Sequence, residues 1–406
     1  MKIIVQKYGG TSVANVERIK KVAEHILETK AKGYHTVIVV SAMGDTTDQL
    51  IALAKSINPK PSTREMDVLL STGEQTSIAL LAMAIDGLGH SAISLTGIQG
   101  GIKTNDYFSK AKIDSIDTDR IISELMKDHT VIVAGFQGST VFGDITTLGR
   151  GGSDTTAVAL AVALDAERCE IYTDVQGIFT TDPRIVSSAQ LMESISYDEL
   201  LEMAKLGAGV MHPRSVELAR KNNMPLTVRS SFDYINEGTQ IIEVKTMEKA
   251  QVRGVTLDED IVRISVPNVP DQPGIAYKLF SSLINLNVHI DMILQNLNHD
   301  GFNDISFTVP VEDLERILPT IESFIDEVGA SPLLVKKDVA KLSIVGTGIT
   351  SDVKIASGLF GKIYELGINI EMISTSEIKI SCIIDQNHAK RALKEVHNYF
   401  NLNCVS

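Results

Sequence analysis

The chain has 406 residues, 44% hydrophobic and 22% charged, with a formal net charge of −13, which is enough length for two or three domains with sizeable cores. The acidic balance and the absence of a basic run exclude a nucleic-acid surface, because neutralising phosphates takes clustered Lys and Arg. Cys169, Cys382 and Cys404 are far apart and unpaired by any CxxC spacing, so neither a disulfide framework nor a zinc site is expected. With no charged leader and no apolar run of membrane length, the expectation is a cytoplasmic protein with no membrane and no nucleic-acid partner.

Ile3-Ile4-Val5 reads as a buried strand that delivers Lys7-Tyr8-Gly9-Gly10-Thr11-Ser12 to a helix. That helix carries Val16, Ile19, Val22, Ala23, Ile26 and Leu27 at the spacing of one face. Gly33 ends it, and Thr36 to Val40 forms a second strand leading to Ser41-Ala42-Met43-Gly44. Strand, helix, strand in this order predicts a parallel pair with a crossover. The alternation continues with a helix from Pro61, strands at Ser91 to Leu95 and Thr130 to Ala134, and a strand at Glu170 to Thr173. An open, mainly parallel α/β sheet follows, with ligands beyond the carboxyl ends of its strands. Lys7, Ser41, Gly135 and Asp174 fall near such ends.

After strand-like Ile241 to Val244 comes the polar link Lys245-Thr246-Met247-Glu248-Lys249, and beyond it the chain repeats itself. Ile261 to Val266 is answered by Lys341 to Val345, helix Ile275 to Leu286 by Ile355 to Leu366, and Ile290-Asp291-Met292-Ile293 by Ile370-Glu371-Met372-Ile373. Each half continues with a strand and an amphipathic helix, which makes a duplicated ferredoxin-like βαββα unit. Neither copy combines a nucleophile, a base and an anion loop. The expected division is a catalytic domain at 1–245 and two regulatory modules at 256–336 and 337–406.

Four glycine-containing turns carry the chemistry. Thr147-Leu148-Gly149-Arg150-Gly151-Gly152-Ser153-Asp154 runs into an apolar helix. Its glycines turn amides toward one space, the helix end adds a positive dipole, and Arg150 adds a planar cation. An anion cradle and a helix cap built on Ser153 or Asp154 are both compatible with this loop. Lys7 to Ser12 is a related turn without P-loop spacing, open to a phosphate-binding or a structural reading. Ser71-Thr72-Gly73-Glu74 has the form of a capping box, with Glu74 as acceptor of a substrate ammonium the alternative. Thr173-Asp174 and Phe179-Thr180-Thr181-Asp182-Pro183-Arg184 suit either turns or a nucleoside-binding loop. His212, without an acid or nucleophile beside it, reads as structural.

Taken together, KYGGTS, VSAMG, STGE, TLGRGGSDTT, TDVQGIFTTDPR and the doubled module with STSEIKIS resemble the aspartokinases of the amino-acid kinase family over essentially the whole chain. The resemblance implies phosphoryl transfer from MgATP to the β-carboxylate of L-aspartate, the first step towards lysine, threonine, methionine and diaminopimelate, with the metal held mainly by phosphates and no protein metal site. It implies Lys7 and Asp154 as catalytic residues and Ser41, Glu74, Arg150, Gly151, Gly152 and Ser153 as aspartate ligands. Lys7, Tyr8, Gly9, Gly10, Thr173, Asp174 and Phe179 to Arg184 would take the nucleotide. The second half resembles paired ACT domains, with Asp271, Gly274, Asp291, Gln295 and Asn296 matching an effector site for lysine, with or without threonine. Homo-oligomerisation, at least to a dimer, would run through these domains. Three positions depart from the pattern: His289, the turn Asp352-Val353-Lys354 in the second module, and Gly209 in place of a lysine near ATP. A non-catalytic amino-acid sensor and a kinase for another amino acid or for UMP are the competing readings.

Overall fold

Alternating apolar strands and amphipathic helices assemble here into one large sheet and three small ones. The computed structural model describes residues 1–206, 210–243, 250–286, 288–297 and 301–403. Gly209, the polar link at 245–249 and Cys404 lie outside these residues.

The large sheet is built from β1 (Ile3–Tyr8), β2 (His35–Val40), β3 (Ala92–Leu95), β6 (Thr130–Ala134), β9 (Arg168–Thr173), β10 (Ser194–Ser196), β11 (Leu226–Ser230) and β12 (Thr239–Ile242). Its order is β10-β12-β11-β9-β1-β2-β6-β3, and only the β11–β12 pair is antiparallel. The expected open, mainly parallel sheet is therefore present. The adjacent strands β9, β1, β2 and β6 are almost wholly buried, as strands covered on both faces by crossover helices must be. A smaller sheet, of order β5-β4-β7-β8, is formed by β4 (Ile102–Thr104), β5 (Ile113–Ile116), β7 (Gln137–Ser139) and β8 (Ile145–Thr147).

The helices of this part are α1 (Val16–Ala31), α2 (Thr46–Ile57), α3 (Thr63–Gly87), α4 (Asp119–Met126), α5 (Gly152–Ala163), α6 (Tyr197–Lys205) and α7 (Pro213–Lys221). Helix α3 is long and apolar enough by length and composition to cross a membrane, but half of that window is buried inside the protein. Leu70, Ile78, Leu81 and Ile85 lie in the core, each contributing roughly 1.5–3 kcal/mol of burial. The same face carries Asp67, Ser71 and Glu74, so α3 is a core helix with a polar stretch in its first half.

The chain divides into two units. One contains Met1–Phe179, Leu191–Lys205 and the described residues of 210–243; the other contains Thr180–Gln190 and the described residues from 250 onward. The second unit holds both βαββα repeats: β14 (Ile261–Pro270), α8 (Ile275–Ser282), β15 (Ile293–Leu297), β16 (Phe302–Pro310) and α9 (Leu314–Val328); then β18 (Val339–Val345), α10 (Val353–Glu365), β19 (Ile370–Ser376), β20 (Lys379–Asp385) and α11 (Gln386–Tyr399). Two further strands exchange places with the repeat boundaries. The strand β13 (Gly254–Asp258) precedes the first repeat yet pairs with β18 in the second sheet, β13-β18-β20-β19. The strand β17 (Leu334–Lys336) completes the first, β15-β16-β14-β17.

The repeats meet through reciprocal ion pairs. Arg263, third residue of β14, lies 2.6 Å from Glu371; Lys341, third residue of β18, lies 2.6 Å from Asp291. Lys336 also pairs with Glu371, and Lys379 stands 3.8 Å from Asp291. Beneath these pairs Ile261, Met292, Val339, Met372 and Ile383 form a shared apolar cluster.

Candidate active site

At the carboxyl end of β1 the alternation of the strand puts Tyr8 on one face and Lys7 on the other. The Tyr8 ring is fully buried, stacked 4.8 Å from Tyr172, and its hydroxyl lies 2.7 Å from His25 Nδ1. Burial drives the Tyr8 hydroxyl pKa well above its usual range and holds His25 down at about 4, so His25 is neutral. His25 in turn stacks on Tyr234 at 3.8 Å. Of Tyr8, therefore, only the backbone is left for a ligand. Lys7 emerges on the opposite face, where its Nζ lies 2.6 Å from Asp154 Oδ1.

Asp154 sits in the first turn of α5. Gly151, at φ +65°, is the residue before that helix and no side chain caps it. The helix-cap reading of Ser153 and Asp154 is thus set aside: both lie inside the helix, where the first-turn amides have no intrahelical acceptor. A Cβ at Gly151 would come within 2.1 Å of His212 Cβ, so this glycine is required by close approach as well as by its backbone. His212 caps α7, its Nδ1 accepting from the Arg214 amide at 3.3 Å. Arg214 then donates to Leu148 O at 3.2 Å and Ala111 O at 3.0 Å. Arg150 is exposed at the tip of the loop, and Ser153 packs against Gly135 at the end of β6.

Ser41 and Ala42 follow β2 directly. The Gly44 amide donates to Gly10 O at 3.0 Å, which draws the two glycine turns together. Helix α3 approaches the same turn through Gly73, where a Cβ would lie 2.8 Å from Ala42 Cβ. That contact delivers Glu74, whose Oε1 accepts from the Ala42 amide at 3.1 Å while Oε2 has no protein partner. The capping-box reading of Ser71 to Glu74 is overturned: these residues lie in the third and fourth turns of α3, not at its start. Burial pushes the Glu74 carboxyl up to about 7, offset only in part by its backbone hydrogen bonds. A buried carboxylate with an open oxygen is poised for a cation.

Thr173 and Asp174 stand at the end of β9, hydrogen-bonded to each other at 3.1 Å. Gly9 donates to Tyr172 O at 3.2 Å. Phe179 bridges to Leu191 in the first unit. Thr180 to Arg184 fold with the second unit: Thr180 Oγ1 lies 2.9 Å from His397 Nε2 and donates to Leu402 O at 3.0 Å. Thr181 is buried, and Asp182 accepts from Arg184 Nη2 at 2.8 Å, with Pro183 between them. In the first repeat, Gly274, at φ +91°, precedes α8, and Asp271 Oδ1 accepts from Asn303 at 2.9 Å. Gln295 and Asn296 lie on edge strand β15 opposite Ile305 and Asp304. Asp291 is engaged by Lys341, and in the second repeat Asp352 caps α10 by accepting from the Lys354 amide at 2.9 Å.

Residues 2–230 match the family model described as the amino acid kinase family, and residues 342–400 match an ACT domain model. The aspartokinase of Geobacillus stearothermophilus is 48% identical over 404 residues, covering 99% of this chain and 98% of that protein. The chain belongs to the aspartokinases of the amino acid kinase family. Aspartokinase 2 of Bacillus subtilis is 46% identical over 403 residues, with 99% and 98% covered. The crystal structure of Escherichia coli aspartokinase III in complex with aspartate and ADP, in the R-state, is 26% identical, covers 98% of this aspartokinase chain and 99% of its own, and has a TM-score of 0.84.

Two residues outside the expected set hydrogen-bond to the same elements, Ala42 to Glu74 and Asp67 to Thr147. Ala42 contributes through its backbone, which no side-chain pattern reveals. Asp67 had a signal: it precedes Glu74 by seven residues, two helical turns, so both carboxylates share one face of α3.

Proposed function

We propose that aspartate kinase activity, the transfer of the γ-phosphoryl group of MgATP to the β-carboxylate of L-aspartate, is carried by the Lys7–Asp154 pair and the glycine turns around it. Lys7 contributes positive charge to the transferring phosphoryl group, and Asp154 orients Lys7. Gly10 offers its backbone amide to the phosphates beside Gly9, whose own amide is taken by Tyr172 O, with Thr173, Asp174 and Phe179 on the nucleoside side. Arg150 takes a carboxylate of aspartate, Gly151, Gly152 and Ser153 align it, and Ser41 and the open oxygen of Glu74 receive the ammonium end. The observation that carries this reading is the 2.6 Å pairing of Lys7 with Asp154 at the amino end of α5.

A carboxylate nucleophile needs no general base, because its ordinary pKa is about 4. Its oxygen attacks phosphorus as the bond to the bridging oxygen of ADP breaks, and the obstacle is repulsion between two anions. A helix N-terminus supplies about 2 kcal/mol at best, against a barrier reduction of roughly 8 kcal/mol or more. Lys7 and Arg150 therefore supply charge while the loops supply alignment. Magnesium enters with the nucleotide as part of the substrate and adds charge neutralisation there.

The two βαββα repeats are read as the regulatory part, binding an end-product amino acid, lysine alone or with threonine, in at least a homodimer. The Escherichia coli aspartokinase III structure in complex with lysine and aspartate, the T-state, is 26% identical over 98% of this chain with a TM-score of 0.74, and supports lysine. Buried free thiols at Cys169 and Cys382 support a reducing, cytoplasmic setting. Release of ADP on addition of aspartate, with trapping of the acyl phosphate by hydroxylamine, tests the activity. Inhibition by lysine, threonine, both, methionine and diaminopimelate tests the effector. Amino-acid binding without turnover would establish a sensor instead.

A further inference from the structure

Asp67 belongs to no motif, yet it is completely buried and receives four hydrogen bonds. Its Oδ2 accepts from the amides of Ser109 and Thr147, each at 2.8 Å; its Oδ1 accepts from their hydroxyls, at 3.2 Å and 2.7 Å. Among the described residues no Lys or Arg forms an ion pair with it. An ionised carboxylate offers four acceptor positions in one fixed plane, which no neutral side chain of similar size does. All four are used on two residues that are distant in sequence, so this carboxylate does not serve its own helix.

Thr147 is the last residue of β8 and the first of the loop that carries Arg150 to Ser153. Ser109, at φ +66°, sits on the neighbouring segment, whose Ala111 amide donates to Thr147 O at 2.9 Å. On the far side the same loop is held by Arg214 at Leu148 O. Past Leu148 come Gly149 at φ +79° and Gly151 at φ +65°, two positions that impose little direction of their own. The direction in which the chain leaves toward Arg150 thus depends on its anchorage at Thr147 and Leu148, while Gly151 against His212 fixes the other end of the loop.

We propose that Asp67 is a positioning residue for phosphoryl transfer to aspartate, fixing through Thr147 and Ser109 the point from which the Arg150 loop springs. The proposal rests on the assignment of that loop to the aspartate side. A displacement of about 1 Å at a reacting group costs on the order of 10²-fold in rate, so a loosened anchor is read in kinetics before it is read in folding.

The test is steady-state kinetics of the full chain carrying Thr147→Val, Thr147→Ser, Ser109→Ala and Asp67→Asn, with melting temperature measured beside each. The expected result is a rise of roughly 10- to 100-fold in KM for aspartate, or an equal loss in kcat/KM for aspartate, in Thr147→Val and Asp67→Asn. KM for ATP stays near the wild-type value, and Thr147→Ser, which restores the hydroxyl, recovers wild-type kinetics. If Asp67→Asn does not fold, Thr147→Val and Ser109→Ala decide. Lower melting temperatures with unchanged aspartate kinetics would overturn the proposal and leave Asp67 a purely structural residue. A wild-type chain that releases no ADP with aspartate would overturn the functional assignment and this proposal with it.

Discussion

Lys7 Nζ and Asp154 Oδ1 stand 2.6 Å apart, with each side chain about a tenth exposed. They come from opposite components of the site, the first strand and the helix that follows the Arg150 loop. In so buried a setting the charge-assisted hydrogen bond fixes the direction of the ammonium. Lys7→Ala is expected to lower kcat by at least about 10²-fold with little change in melting temperature, and Arg150→Ala to raise KM for aspartate by roughly 10- to 100-fold, the worth of a charged hydrogen bond. Steady-state kinetics in both substrates checks this; near-normal values in either variant would remove that residue from its role.

As the proposed acceptor of the aspartate ammonium, Glu74 should make aspartate binding depend on pH. Its carboxyl stands at about 7 in the folded chain, against 4.5 ordinarily, so the folded state binds the extra proton and stability falls as pH rises from about 4.5 to 7, by roughly 3 kcal/mol at most. An incoming ammonium favours the carboxylate and expels that proton. Calorimetry near pH 6 in two buffers of different ionisation enthalpy should register proton release on aspartate binding, and Glu74→Gln should abolish it. Binding with no proton exchange in the wild type would refute the contact.

His25 works with the opposite sign. Its pKa is lowered from 6.5 to about 4, chiefly by burial, with Arg229 and Lys32 also lowering it and Glu170 raising it. Neutral His25 therefore contributes stability that is complete above about 6.5 and is lost as pH falls through about 4, again roughly 3 kcal/mol in total. His25→Phe keeps a ring against Tyr234 but cannot charge. Its denaturation midpoint relative to wild type should improve as pH falls from 6.5 to 4; a constant difference across that range would count against a titrating His25.

The two ion pairs between the repeats are unequal. Lys341 is only 3% exposed and faces both Asp291 and Asp258, whereas Arg263 is 25% exposed. Burial raises and the lysines lower the Asp291 carboxyl, with a net fall below its usual range. Lys341→Ala should cost on the order of 1–3 kcal/mol, because it takes the buried partner from two carboxylates that are each about a fifth exposed, and Arg263→Ala distinctly less. Urea denaturation of both variants measures the difference, and equal losses would show that burial does not separate them.

The order of residues by itself determined the open α/β sheet, the duplicated βαββα unit and the glycine turns, because these depend on local periods of apolar residues and on turn chemistry. It was enough to bring Lys7, Arg150 and Asp154 forward as candidates. Tertiary structure alone decided which groups meet. Ser71 to Glu74 has the local form of a helix start but lies within α3, since the chain enters that helix eight residues earlier, at Thr63. Glu74 finds the Ala42 amide 32 positions away, and Asp67 finds Thr147 80 positions away. Strand β13 joins the sheet of the second repeat although it precedes the first. Each outcome depends on close packing between distant segments, which local periodicity does not encode: Gly73 on Ala42, Gly151 on His212, and a buried carboxylate drawing every donor within reach.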